Sequence, residues 1–210
     1  MRIKAYKFAV LALAFFATPI VLKAEADSTA SREYQIKAAF LYNFIKFVDW
    51  PKEKAADPNA PVTIGIIGKD PFGSAFNPVE DKDAKSRKVL IKRFKTFEEL
   101  KKAGEKDKSL LDREIGAMRK CHLLFVCSSE EENLVEIINL VKDHSVLTIG
   151  EMKGFIESGG IINFIMEEQK VRFEINVTTA RQAELQIRSQ LLRLAKRVID
   201  EKDAEGNKNK

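Results

Sequence analysis

Apolar residues recur at two different periods along the chain, and the change of period marks the elements. In 31–48, SREYQIKAAFLYNFIKFV, residues Ile36, Phe40, Phe44 and Phe47 are spaced four, four and three apart, which predicts one face of a helix. Tyr34, Leu41, Ile45 and Val48 widen that face, so the helix is expected to be buried on more than one side. Trp50-Pro51 ends it, and KEKAADPNAP reads as a loop. The β-branched run Val62–Ile67, bounded by proline and glycine, predicts a central strand, and 88–94 a second. Thr96 with Glu99 forms a capping box before a helical segment over 97–106. Residues 121–127 are the most apolar predicted strand. Ser129 with Glu132 reads as a second capping box, opening a helix in which Leu134, Ile137, Ile138 and Val141 share a face; 146–149 is a fourth strand.

Strands alternating with helices imply a parallel sheet covered on both sides. The pattern then changes. Residues 161–166, the polar turn EEQK and 171–175 are joined too closely for a crossover helix, so they predict an antiparallel hairpin. Thr179 with Gln182 reads as a third capping box, opening a last helix in which Ala183, Ile187, Leu191, Leu194 and Val198 recur at three or four. The expected fold class is a three-layer α/β domain over 27–198. It has a mostly parallel sheet, a C-terminal antiparallel hairpin, helices on both faces and a Rossmann-like or flavodoxin-like topology. Residues 100–120, dense in charge, read as an exposed helix or excursion grafted onto it, and 199–210 as a disordered tail.

The first residues alter how the charge is read. Arg2, Lys4 and Lys7 precede an apolar run over 8–22, and Ala24-Glu25-Ala26 offers small residues to a signal peptidase, so an export signal cleaved after Ala26 is expected. The whole chain has 36 basic and 31 acidic residues; loss of Arg2, Lys4, Lys7, Lys23 and Glu25 leaves 32 and 30. A nearly balanced exported domain gives little reason to expect nucleic acid as a partner.

Candidate chemistry is sparse. Gly65, Gly68 and Gly73 in IGIIGKDPFG have neither dinucleotide nor P-loop spacing, and Asp70-Pro71 reads as a helix N-cap followed by proline at the first helical position. His122 and His144 are the only histidines. Cys121 and His122 are adjacent in one strand, point to opposite faces and cannot share a metal. No cofactor, metal or catalytic residue is assigned. Cys121 and Cys127 flank HLLFV and, in a regular strand, lie ~20 Å apart, too far for a mutual disulfide. Trp50, the sole tryptophan, is either a rim residue of the core or a partner anchor. Arg181 and Arg188 head a basic face of the last helix, which is either solvated or turned to an anionic partner. In SGGIINF, residues 158–164, no helix follows Gly159 and Gly160, so they are expected to turn the chain into the hairpin. Asn163, opposite Ile162 and Phe164, is a candidate contact with a partner, or a buried hydrogen-bonding hub.

Taken together, KAAFLYNFIKFVDWP, IGIIGKDPFG, CHLLFV, VLTIGEMKGFIESGGIINF and VRFEINVTTARQAELQIRSQLLRLAK resemble the YfiR-like family of exported bacterial proteins over residues 34–198. That resemblance implies a compact α/β domain, homodimerisation and no catalysis. It also implies a periplasmic repressor that binds the sensor region of an inner-membrane diguanylate cyclase, or another membrane sensor protein, and lowers cyclic di-GMP. Some members respond to redox state through disulfides, which the cysteine spacing here disfavours within one chain. The partner-facing candidates are Trp50, Asp70, Phe72, Asn163, Arg181 and Arg188. The competing expectation is an exported small-ligand binding protein or carboxylate-dependent enzyme that uses the crevice at the carboxyl ends of the strands, with Asp70, Phe72 and Ser128 at its edge.

Overall fold

A long helix, α1 (Pro19–Phe47), packs its C-terminal half against one face of an eight-stranded sheet. The computed structural model describes residues 19–200 apart from 53, 55, 56, 58 and 81, with side chains from Arg32 onward. The expected export segment lies outside the described residues over 1–18, and the expected tail over 201–210.

After α1 come β1 (Val48–Asp49) and β2 (Val62–Ile67), then a 3-10 turn (Gly73–Phe76), α2 (Asn77–Glu80), β3 (Asp83–Ala84) and β4 (Arg87–Phe94). Two antiparallel helices, α3 (Phe97–Lys106) and α4 (Lys108–Lys120), cross over to β5 (Leu123–Val126). A 3-10 segment (Ser128–Asn133) leads into α5 (Leu134–Val141), β6 (Leu147–Gly150) and the hairpin of β7 (Ile162–Glu167) and β8 (Lys170–Asn176). The chain ends with α6 (Val177–Gln182), β9 (Gln186–Ile187), α7 (Ser189–Leu192) and β10 (Arg197–Ile199).

The spatial order is β10-β8-β7-β6-β5-β2-β4-β3. The five parallel strands run β4-β2-β5-β6-β7, a flavodoxin-like order in which the chain starts at β2, steps to one side and returns on the other. β8 is antiparallel to β7, as the short EEQK connection requires. Two apolar cores cover the two faces. One is built by α1, α2, α6 and α7 around Phe44, Phe76 and Phe125, the other by α3, α4 and α5 around Phe97, Met118 and Phe155. This is the three-layer α/β architecture expected from the alternation of periods.

Several local expectations are corrected. In α1 the buried residues are Lys37, Ala38, Leu41, Phe44 and Ile45, whereas Ile36 is 40% exposed, so the apolar face is rotated by one position. Residues 100–120 are not an excursion. They form the α3–α4 crossover, capped by Thr96 with Glu99 and by Asp107, and they bury Leu100 and Met118. Ser129 caps no helix; its Oγ accepts from the Lys69 amide instead. Asp70 does not cap one either. Its Oδ1 accepts from the Phe72 amide two residues on, and the helical turn starts only at Gly73. The cap of α6 is Asn176 rather than Thr179. The last helix does not run to Val198: Glu184 takes a left-handed φ of 59°, β9 pairs with β1, and β10 pairs with β8. Ile199 closes β10, and Asp200 accepts two hydrogen bonds from Arg181, so ordered structure passes the expected boundary at 198.

Candidate functional site

The carboxyl ends of β5 and β6, the start of β7 and the turn of α1 that carries Glu33, Tyr34 and Lys37 enclose a groove of about 800 Å³. At its floor a lysine is held between two carboxylates. Lys37 pairs with Glu33, one helical turn earlier, and with Glu151, directly after β6, at 2.6 Å. The Lys37 and Glu151 side chains are only 5% and 8% exposed. The Tyr34 hydroxyl donates to Glu151 Oε1 at 3.1 Å, and burial together with that carboxylate pushes its pKa upward. Lys37 also lies 4.6 Å from the centroid of the Tyr34 ring, so the cation is enclosed by anions and a π-face. At the far rim Arg197 bridges Glu174 and Glu157 at 2.8 and 2.6 Å.

Asn163 sits in this floor at 3% exposure, and its Oδ1 accepts from the Met152 amide at 3.1 Å. It is therefore the buried hub rather than a surface contact. It ties the loop after β6 to β7, and its register partner is Gly150, the last residue of β6. The loop itself is folded around Phe155, which is fully buried. A Cβ at Gly150 would come within 2.3 Å of the Phe155 ring and one at Gly160 within 2.1 Å, so the two glycines clasp the ring. Gly159 carries the positive φ, 93°, that turns the chain into β7. SGGIINF is thus both a turn and a close approach, and it builds one wall of the groove.

The crevice at the switch point, between β2 and β5, is filled. Phe72 is 3% exposed and meets Phe125, Phe76 and Tyr34 at ring separations of 4.9, 4.7 and 5.2 Å, while Ser129 closes onto Lys69. Phe72 is a core residue, which corrects its expected place on a partner surface. Asp70 pairs with Arg93 at 2.7 Å and faces away toward β4. Of the three residues expected at the crevice, Asp70, Phe72 and Ser128, only Ser128 lines the groove, where it is joined by Asn163.

The remaining candidates lie elsewhere. Trp50 is half-buried against the α1-side core. Its Nε1 donates to the His122 carbonyl at 3.2 Å, which joins the end of β1 to the start of β5. Arg188 is held by Asp49 and Arg181 by Asp200, each through two hydrogen bonds. They stand on separate elements and do not form one basic helical face. Cys121 and Cys127 are free and buried in the cores on opposite sides of the sheet. Burial pushes the Cys121 thiol up to about 11 and shifts that of Cys127 upward as well. Among the described residues no group of three or more His, Cys, Asp or Glu is arranged to hold a metal.

Sequence reasoning missed Lys37, Glu151 and Tyr34. The legible signal was Glu33 four residues before Lys37, an ion-pair spacing placed on an otherwise apolar helix face. Glu151, far off in sequence, gave no such signal.

The sequence matches the model of a family described as YfiR/HmsC-like, DUF4154, over residues 34–196. No curated protein matches it. Among solved structures, a conserved domain protein from Vibrio cholerae O1 biovar El Tor is similar at 12% identity and a TM-score of 0.47, covering 70% of this chain and 57% of that one. An ABC domain in complex with L-Trp from Streptococcus pneumoniae is similar at 14% identity and a TM-score of 0.48, covering 81% and 60%. The chain thus spans less than two thirds of the length of either. Among the described residues no helix is long and apolar enough to cross a membrane.

Proposed function

The chain belongs to the YfiR/HmsC-like family, and from that membership we propose that it is a periplasmic regulatory binding protein. In this reading it acts as a dimer that holds an inner-membrane diguanylate cyclase inactive through the cyclase's periplasmic sensor region and so lowers cyclic di-GMP. The observation that carries the reading is the span of the family match, from the groove-facing Tyr34 to Lys196 at the approach to β10. The groove supports it. Its Lys37, Glu33, Glu151 and Tyr34 are bound to one another, which fixes α1 to the loop after β6 and suits a rigid docking surface.

A contact surface of the expected apolar character lies at the β10 end of the sheet. Met166 and Val198 are 50% and 41% exposed on β7 and β10, and their register partners Val171 and Ile175 belong to the α1-side core, so both project from that face. Leu194, 63% exposed, stands just before β10. An exposed apolar set beside a charged groove is the composition of an interface centre with a polar rim.

The test is a titration of the purified protein against the purified periplasmic region of the membrane cyclase. Stoichiometric binding that Met166→Asp with Val198→Asp weakens by more than about tenfold supports the reading. Absence of binding to any such region overturns it.

A second reading, a small-ligand site, is favoured by the groove's volume of about 800 Å³. Mass spectrometry of the native protein distinguishes the two, because a retained small molecule would place the ligand before the partner.

A further inference from the structure

At the opposite end of the sheet, the amino ends of β2 and β5 and the segment before β2 surround a second hollow of about 630 Å³. Among the described residues Lys54, Arg87, Arg119 and Lys120 line it, against one carboxylate, Glu184. Among the described residues none of the four is in an ion pair. Three of them donate to main-chain carbonyls instead. Lys54 Nζ donates to Arg119 O and His144 O at 3.2 and 2.6 Å, Arg119 Nε to Leu140 O at 2.9 Å, and Arg87 Nε to Ala60 O at 2.5 Å. Neutral acceptors fix these side chains and leave their charge uncancelled. Two of these carbonyls, Arg119 O and Leu140 O, belong to the ends of α4 and α5, whose partial negative charge would otherwise repel an anion.

His122 adds direction to this charge. It is 6% exposed, and its Nδ1 accepts from the Thr63 amide at 3.2 Å, so the proton of the neutral ring sits on Nε2. Burial, with Arg87 and Lys54 nearby, holds its pKa down to about 4, and the ring is neutral at pH 7. Among the described residues the buried Nε2 atom has no full hydrogen-bond partner; the Lys54 main chain bears on the ring as a weak acceptor that works against the downward shift. A buried donor left unpaired is costly, and at the wall of a cationic hollow it is a ready contact for an acceptor.

We propose that this hollow binds a tetrahedral oxyanion of the phosphate or sulfate class, with Arg87 and Lys120 supplying charge and the His122 Nε2–H a directed donor. Three donors that converge from two chain segments, residue 87 and residues 120–122, suit a tetrahedral anion, whose oxygens point in several directions, better than a planar carboxylate. The anion is either free or the head group of a phospholipid, and the site chemistry is the same for both.

The test is a titration of the intact protein with inorganic phosphate at pH 7, followed by amide NMR shifts, at ionic strength held constant with chloride. Shifts are expected to centre on residues 51–63, 87 and 119–123. Arg87→Gln with Lys120→Gln is expected to weaken binding by at least about tenfold. His122→Asn, which keeps an acceptor for the Thr63 amide, is expected to weaken it similarly, while Arg172→Gln on β8 leaves it unchanged. If His122→Asn does not fold, the charge pair alone decides. Phosphate that binds no better than chloride, or a charge-pair variant that binds like the parent, overturns the proposal. Co-sedimentation with phosphatidylglycerol vesicles that the charge-pair variant loses assigns the site to a lipid head group; phosphate binding without co-sedimentation assigns it to a free anion.

Discussion

Arg188 donates two hydrogen bonds to the Asp49 carboxylate, Nε to Oδ2 at 2.9 Å and Nη2 to Oδ1 at 2.8 Å, across a separation of 139 residues. The pair locks the small β1–β9 ladder, in which Val48 faces Ile187, and so ties the end of α1 to the C-terminal segment. Lys85 adds a third contact to the same carboxylate at 2.9 Å. Arg188 and Lys85 hold the Asp49 carboxyl down to about 2 from its ordinary 3.8. A carboxyl lowered on folding contributes stability that is complete above its ordinary value and is lost as pH falls from about 4 to about 2. Both side chains are nearly half exposed, so solvent screening limits the contribution to roughly 0.5–1 kcal/mol. Arg188→Gln is expected to lower stability by that amount at pH 7 and to flatten the acid limb of a Tm-against-pH profile between pH 4 and 2.

The lysine at the groove floor behaves differently because it is buried. Lys37→Met leaves the Glu151 carboxylate, 8% exposed, with only the Tyr34 hydroxyl, and is expected to cost about 3 kcal/mol in urea unfolding. Glu33→Gln, at a side chain 26% exposed, is expected to cost less than about 1 kcal/mol. Equal losses for the two would mean that the groove floor is not an internally compensated cluster.

The clasp around Phe155 gives a steric prediction. Gly160→Ala places a methyl 2.1 Å from a fully buried ring and is expected to destabilise by about 2–3 kcal/mol, because the ring is enclosed by Gly150 on its other side. Gly160→Ala combined with Phe155→Leu is expected to recover part of that loss, which a thermodynamic cycle on the two sites measures.

The turn between β7 and β8 offers a gain. Glu168 and Gln169 both take left-handed φ values, 49° and 60°, the backbone of a two-residue hairpin turn that favours Asn-Gly. Glu168→Asn with Gln169→Gly is expected to stabilise the chain by roughly 1 kcal/mol and raise its Tm, with the β7–β8 register unchanged.

The central strands were legible in the sequence because each is a short apolar run, β-branched in β2 and wholly apolar in β5, a signal that needs no tertiary context. The C-terminal segment was not. Ile187, Leu191, Leu194 and Val198 fit a helical period, yet Ile187 pairs with Val48, Leu191 packs into the α1-side core, and Val198 pairs with Ile175. Pairing with distant strands overrides local period there, and the left-handed Glu184 carries no glycine to announce the break. The basic hollow was hidden for a related reason. Lys54, Arg87 and the run 119–122 come from three stretches of chain and converge only when β2 and β5 pair, with Ile64 beside Leu123. Ser128 was legible as a groove residue because it follows a strand at the sheet's carboxyl edge, whereas Asn163 gave no sign that it would line the same groove.

Regulatory binding is tested most directly by the cellular concentration of cyclic di-GMP after the gene is deleted and after it is restored. Deletion is expected to raise the concentration, the restored parent gene to lower it, and the Met166→Asp with Val198→Asp variant to leave it high. A concentration that does not change on deletion would contradict the proposal that this protein restrains a membrane cyclase.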